Sequence, residues 1–281
     1  PYIDVRLSFH SYLPADLPNN ASGFVENIKP VLAVFIKYEI WANYFLELQR
    51  RRIPVMIAPA IFRPEQFYFR KPHSAFFLPI LRNTAAILTQ DEGSVKLLRA
   101  HGVENCRKVG DSRFERVMLN AKQAFTNPVL DSFASHRPLI VCGSTWSPDE
   151  KILLELSKAI PDLKMIIAPH DISAVNVKRV QRLFGEDQTF LYSQPPGDTS
   201  GYRFVIIDNI GMLSKIYRLG QLAYIGGAFG SGIHNSLEAV VYGMPVFFGP
   251  KHSNFIEPSA MIRAGFGHEV RSANDLIQQV K

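Results

Sequence analysis

The 281 residues contain only two cysteines, Cys106 and Cys142, with no Cys-x-x-Cys and no Cys/His cluster. That excludes a disulfide framework and a structural zinc site. No apolar run reaches the roughly 18 residues that a membrane-spanning helix needs, and the longest, residues 239–250, is broken by Gly243 and Pro245. Charge is sparse too: charged residues make up 20%, and 31 basic against 25 acidic side chains leave a net charge of +6. Such a surplus suits anionic partners but is too thin to specify nucleic acid, and none is expected. Walker A, GxGxxG, GxSxG, HExxH, the kinase set and an Asp-x-Asp metal motif are all missing. What is present is ordinary globular composition, 47% hydrophobic with 18 Gly and 19 Pro, which excludes disordered and collagen-like classes. The chain starts at Pro1 with no leader-like segment, so it is expected to belong to a longer protein whose upstream part carries any membrane anchor.

Short β-rich runs alternate with amphipathic stretches of helical length, the rhythm of βαβ units and a parallel sheet. The pattern predicts strands near 31–36, 54–58 and 85–89 with helices near 42–51, 64–82 and 93–101. A helix near 113–125 is followed by polar, proline-bearing sequence up to Pro138, where a domain boundary between 136 and 137 is expected. The rhythm then restarts, with strands near 139–142, 164–168, 203–207, 222–225 and 245–248. Helices are predicted near 148–160, 171–184, 212–218, 235–242 and 255–264. Two doubly wound Rossmann-like α/β domains are the economical result, residues 1–136 and 137–281.

The richest stretch runs from Ala223 to Glu238: a strand, a turn with Gly226, Gly227, Gly230 and Gly232, and a helix start. Glycines let backbone approach a ligand, amides at a helix start favour phosphate, and Glu238 is placed to accept hydrogen bonds from a ribose diol. The same residues serve equally a tight turn capped by Asn235. Asp208-Asn-Ile-Gly-Met-Leu213 ends another predicted strand, Ala168-Pro-His170 a third and Gly143-Ser-Thr145 a fourth, and ligands in open α/β sheets bind beyond such strand ends. Glu39 follows the first predicted strand, where it suits acid/base or acceptor-orienting work or else simply a helix N-terminus. Arg63, Arg70, Lys71 and Arg113 are candidates to meet anionic substrate groups.

At these positions the chain resembles the Kdo transferases, GT-B glycosyltransferases that move 3-deoxy-D-manno-oct-2-ulosonic acid from its CMP ester to a lipid A precursor. The resemblance is carried by Ser11-Tyr-Leu-Pro-Ala-Asp-Leu-Pro18, Tyr38-Glu-Ile-Trp41, Gly110-Asp-Ser-Arg-Phe114, Gly143-Ser-Thr-Trp146, Ile207-Asp-Asn-Ile-Gly-Met-Leu213, Gly226 to Glu238 and Tyr242-Gly-Met-Pro-Val-Phe-Phe-Gly-Pro-Lys-His252. It implies a GT-B fold, with Pro169, His170, Gly211, Met212, Leu213, Asn235, Ser236, Leu237 and Glu238 contacting the CMP of the donor, and Glu39 as a second essential acid. Two departures stand out: the family's Pro-Arg-His reads Pro169-His170 here, and Arg113 replaces a usual Lys.

The resemblance further implies an inverting, metal-independent transferase with CMP-Kdo as donor substrate and no cofactor. Its general-base Glu is expected upstream of the stretch matching Pro1, and its place at the cytoplasmic face of the bacterial inner membrane, held through that upstream segment. The alternatives are another GT-B nucleotide-sugar transferase or epimerase, and a non-catalytic nucleotide-binding scaffold.

Overall fold

The computed structural model describes residues 10–135, 138–230, 232–233, 236–252 and 255–281, grouped into two compact units, Pro1–Ser112 and Arg113–Lys281. The first unit runs α1 (Pro18–Ile28), β1 (Ala33–Phe35), α2 (Ala42–Arg50), β2 (Val55–Ala60), a 3-10 turn (Phe67–Phe69), α3 (Ser74–Arg82), β3 (Ala86–Thr89), α4 (Glu92–Ala100) and β4 (Cys106–Lys108). Its strands form a parallel sheet in the order β1-β2-β3-β4. Among the described strands of this unit each crossover steps the same way. Phe45 and Leu48 of α2, Ile80 and Leu81 of α3, and Val95 and Leu98 of α4 bury against Val55, Ile57 and Ile87 of the sheet. The predicted helix over 64–82 divides into the 3-10 turn and α3, with Pro72 in between.

Two of the motifs that carried the resemblance are scaffold here. Asp16 Oδ1 accepts from the backbone N–H groups of Asn43 (3.0 Å) and Tyr44 (3.3 Å), capping the first turn of α2 from a distant loop, while the Tyr44 hydroxyl donates to Pro14 O at 2.9 Å. Ser11 to Pro18 thus ties α1 to α2. In the segment around Tyr38, the Tyr68 hydroxyl donates to the Tyr38 carbonyl at 2.9 Å, fixing the chain just after β1.

The second unit contains α5 (Ser112–Lys122), α6 (Pro128–Ala134), β5 (Leu139–Thr145), α7 (Ser147–Ala159), β6 (Lys164–Pro169), α8 (Ala174–Phe184), β7 (Thr189–Leu191), β8 (Phe204–Ile206), α9 (Leu213–Ile216), β9 (Leu222–Ile225), α10 (Leu237–Val240), β10 (Val246–Phe248), α11 (Ile256–Arg263), β11 (Gly267–Glu269) and α12 (Ala273–Val280). Seven parallel strands lie in the order β11-β10-β9-β5-β6-β8-β7. This sheet is doubly wound, because the chain leaves β5 toward β6 and later returns to β5's other side with β9. Alternate residues feed two separate cores. Val141, Ile166, Val205, Ala223 and Phe248 face one side, with α6, α10 and α11; Ile140, Cys142, Ile167, Ile206 and Tyr224 face the other, with α7, α8 and α12. Strands buried on both faces read as continuous apolar runs, which is why β5 and β6 are visible in sequence.

The units divide between Ser112 and Arg113, not between 136 and 137, and α6 shows why. Asn127 caps it by accepting from Leu130 N–H at 3.1 Å with Pro128 in the first turn, so the Asn-Pro pair starts a helix where a linker was expected. Leu130 and Phe133 are fully buried in the second unit's core, and Lys164 Nζ donates to Phe133 O at 2.8 Å.

One surface cluster gives the first unit a pH dependence. Glu47, only 12% exposed, accepts from Arg50 Nε (2.8 Å) and Nη2 (2.7 Å) and from Arg51 Nε (2.6 Å), and these bonds hold its carboxyl down to about 2. A carboxyl lowered on folding stabilises above its unfolded value of 4.5, and that contribution disappears as pH falls through about 2. Urea unfolding of Glu47→Gln is therefore expected to be flatter than wild type between those two pH values; an unchanged acid slope would dissociate Glu47 from it.

Candidate functional site

The sheet of the second unit reverses its winding between β5 and β9, and in open α/β sheets ligands bind beyond the carboxyl ends of the strands at such a reversal. Close backbone approach builds it. A Cβ on Gly226 would lie 2.4 Å from the Ser144 carbonyl and 2.7 Å from Thr145 Cα, so only glycine lets the end of β9 pass the end of β5. Ser144 itself takes a positive φ of 52°. Asp149, fully buried in the first turn of α7, fastens the two strand ends together. Its Oδ1 accepts from the Tyr224 hydroxyl at 2.9 Å, and its Oδ2 from Trp146 N–H (2.9 Å) and Gly227 N–H (3.0 Å). Burial, with the Asp149 charge behind it, raises the Tyr224 phenol far above its usual range, so the tyrosine stays a donor.

The glycine-rich loop after β9 is braced from its other side by the loop after β10. Lys251 N–H donates to Ala228 O at 2.9 Å and Ile233 N–H to Lys251 O at 3.2 Å. A Cβ on Gly249 would meet the Phe229 ring at 2.7 Å. His252, almost buried, places Nε2 2.8 Å from Glu269 Oε2, and that bond, with one from Arg271, lowers the Glu269 carboxyl. Gly249-Pro-Lys-His252 is thus a buttress for the loop. Asp208 has a similar duty, accepting from Ser193 N–H at 3.0 Å and from the Ser193 hydroxyl.

A cavity of about 840 Å³ lies within this unit, bounded by loops after β8, β9 and β10 and by one face of α5. From the loops and the short helices that follow them come Gly211, Ser214, Lys215, Gly232, Ile233, Ser236, Glu238, Phe255 and Glu257. From α5 come Arg113, Arg116, Val117 and Asn120, whose spacing puts them on a single helical face, and Gln123 follows just past its end. Gly211 and Gly232 have φ of +91° and +132°, conformations that favour glycine. Glu238 is half-buried, and its charge adds to burial in raising the Tyr217 phenol. Arg113 Nη2 donates to Glu257 Oε1 at 2.6 Å. Among the described residues, neither Arg116 nor Lys215 forms an ion pair; Lys215 Nζ stands 5.7 Å over the Phe125 ring.

Of the expected donor residues, Gly211, Ser236 and Glu238 meet at this cavity. Met212 and Leu213 pack behind it against the core, and Leu237 is buried. Pro169 and His170, at the end of β6, lie outside its lining; the His170 ring stacks on Trp146 with centroids 4.6 Å apart and 22° between planes. Asn235 falls outside the described residues. The helix expected over 235–242 is the four-residue α10, too short to supply much macrodipole, so the expected helix-start phosphate site has little support. Glu39 is exposed in the first unit just after β1, its N–H donating to Ile36 O at 3.2 Å. Arg63 is taken up by Asp91 at 3.0 Å. Sequence reading singled out Arg113 but missed Arg116, Asn120 and Gln123; their i, i+4, i+7 spacing was the available signal.

The family model described as 3-Deoxy-D-manno-octulosonic-acid transferase (kdotransferase) matches residues 4–116. A 3-deoxy-D-manno-octulosonic acid transferase of Haemophilus influenzae is 26% identical over 96% of this chain and 65% of its own length. Its counterpart from Rickettsia bellii is 22% identical over 98% of this chain and 67% of its own length. The chain is similar to Kdo transferases along nearly its whole length. It spans 60 to 67% of the length of the first Kdo transferases that it matches. Among solved structures, UDP-GlcNAc 2-epimerase from Neisseria meningitidis, bound to UDP-GlcNAc, aligns with 94% of this chain and 70% of its own at a TM-score of 0.60 and 15% identity. That likeness shows the fold alone, and it agrees with the α/β, GT-B class that the Kdo transferase resemblance implied.

Removing the Asp149 carboxylate strands two buried donors, the Tyr224 hydroxyl and the Gly227 N–H, and a half-buried one, the Trp146 N–H, a buried donor costing about 1–3 kcal/mol when unsatisfied. Asp149→Ala is expected to lower the unfolding free energy by at least about 3 kcal/mol, measured by guanidinium denaturation. A loss under about 1 kcal/mol would deny Asp149 its role at the crevice.

Proposed function

We propose that the protein transfers Kdo from CMP-Kdo to a lipid A precursor as an inverting glycosyltransferase that needs neither metal nor cofactor. The observation that supports this best is the convergence of Gly211, Ser236 and Glu238 on one cavity at the carboxyl ends of the strands, in a homologue of enzymes named for this transfer. Glu238 holds the ribose diol through charge-assisted hydrogen bonds. The backbone at Gly211 and Gly232, both glycines bordering the cavity, takes the phosphate with Lys215 near it.

In the proposed reaction an acceptor hydroxyl attacks the anomeric carbon as the bond from that carbon to the phosphate oxygen breaks. CMP leaves with the bonding electrons, the hydroxyl proton passes to a carboxylate base, and configuration inverts. Developing charge on the phosphate is stabilised by groups already aimed at it. Glu39 is the acidic residue assigned to the acceptor side. The acceptor is an anionic amphiphile, and the basic surplus suits work at the cytoplasmic face of the inner membrane. Among the described residues no helix is long and apolar enough to cross a membrane.

Titration calorimetry with nucleotides tests this reading. CMP is expected to bind and UDP to bind at least about tenfold more weakly, since loss of matched polar contacts is worth over 1 kcal/mol. Glu238→Ala is expected to weaken CMP by about 1.5–3 kcal/mol, roughly 10- to 100-fold. Preference for UDP would favour an epimerase-like nucleotide site, and unchanged CMP affinity in the variant would remove Glu238 from it.

A further inference from the structure

The charges around the cavity do not cancel, and they are unevenly placed. Arg113 and Glu257 neutralise one another at 2.6 Å, with Glu257 nearly buried. Lys215, on α9 close to the Gly211 turn, and Arg116, on α5, also border the cavity, and among the described residues neither forms an ion pair. Lys215 lies on the nucleotide side. Arg116 borders the same cavity from a separate element, one helical turn beyond Arg113, with no anionic partner among the described residues. Its planar fork of donors matches a carboxylate in two-point contact.

Further along the same face of α5 the character changes. Asn120 and Gln123 are neutral, with both donors and acceptors, and they begin about 6 Å beyond Arg116 along the helix axis. The helix face and the residue just past its end therefore offer a cationic end followed by amides. The complementary ligand carries a carboxylate at one end and hydroxyl groups along the remainder. At about 840 Å³ the cavity stands in the upper part of the range for small-molecule sites, so it has room for more than a nucleotide.

We propose that α5, with the residue just past its end, is the sugar-reading wall of the donor site, in which Arg116 binds the carboxylate of a sugar acid and Asn120 and Gln123 bind its hydroxyls. This assignment rests on the CMP-sugar reading given above and names the groups that select the sugar within it. Arg116 is exposed and buries no core contact, so its replacement is expected to leave folding intact.

The test uses the 281-residue chain, with CMP and two stable phosphonate analogues of a CMP-linked 2-keto sugar acid, one bearing the free carboxylate and the other its neutral carboxamide. In calorimetry the wild-type chain is expected to bind the carboxylate analogue about tenfold or more tightly than the carboxamide. Arg116→Gln should bring the two to within about twofold, and Arg116→Lys should leave an intermediate preference, since it keeps the charge without the fork. Two results would overturn the assignment alone: CMP binding with no preference for the acid in the wild-type chain, or a full preference retained by Arg116→Gln. Absence of CMP binding in the wild-type chain would overturn the donor reading, and this assignment with it.

Discussion

A single buried carboxylate organises the crevice. Asp149 accepts from a tyrosine hydroxyl and two backbone amides that belong to β9, the loop after β5 and the glycine-rich turn. A charged group so deep is tolerated only because several donors converge on it. The arrangement also explains the crowding at Gly226, where the two strand ends pass too closely for any side chain. With β5 and β9 fastened at the point where the winding reverses, the loops after β8, β9 and β10 have a fixed platform from which to surround a ligand.

The motifs that made the chain recognisable divide between bracing the fold and lining the cavity. Ser11 to Pro18 caps and ties helices, Gly249 to His252 braces the glycine-rich loop, and Asp208 secures the loop at Ser193. Gly211, Ser236 and Glu238 border the cavity directly. A motif is therefore a mixed signal: it marks a place where backbone geometry is demanding, and ligand contact accounts for only part of that demand.

The strands of the second sheet were the most legible feature, because burial on both faces writes long apolar runs such as Leu139–Thr145 and Lys164–Pro169. Three of the three-residue strands, Cys106–Lys108, Thr189–Leu191 and Gly267–Glu269, left no comparable trace, since pairing to a neighbour and not their own composition defines them. The segment 126–135 was misread because Asn-Pro signals a helix start as readily as a linker. Glycine turns and Glu238 were visible from chemistry alone. The polar face of α5 was not, because its meaning comes from what stands across the cavity, which only the fold supplies.

The placement of α5 separates two kinds of change. Among its described side chains none is fully buried, so the face it turns toward the cavity is not part of either core of the sheet. Under the assignment of α5 as the sugar-reading wall, substitution along that face alters which sugar is accepted while the platform built from strand-end loops and Asp149 stays as it is. Selectivity in this architecture is a replaceable panel on a rigid frame.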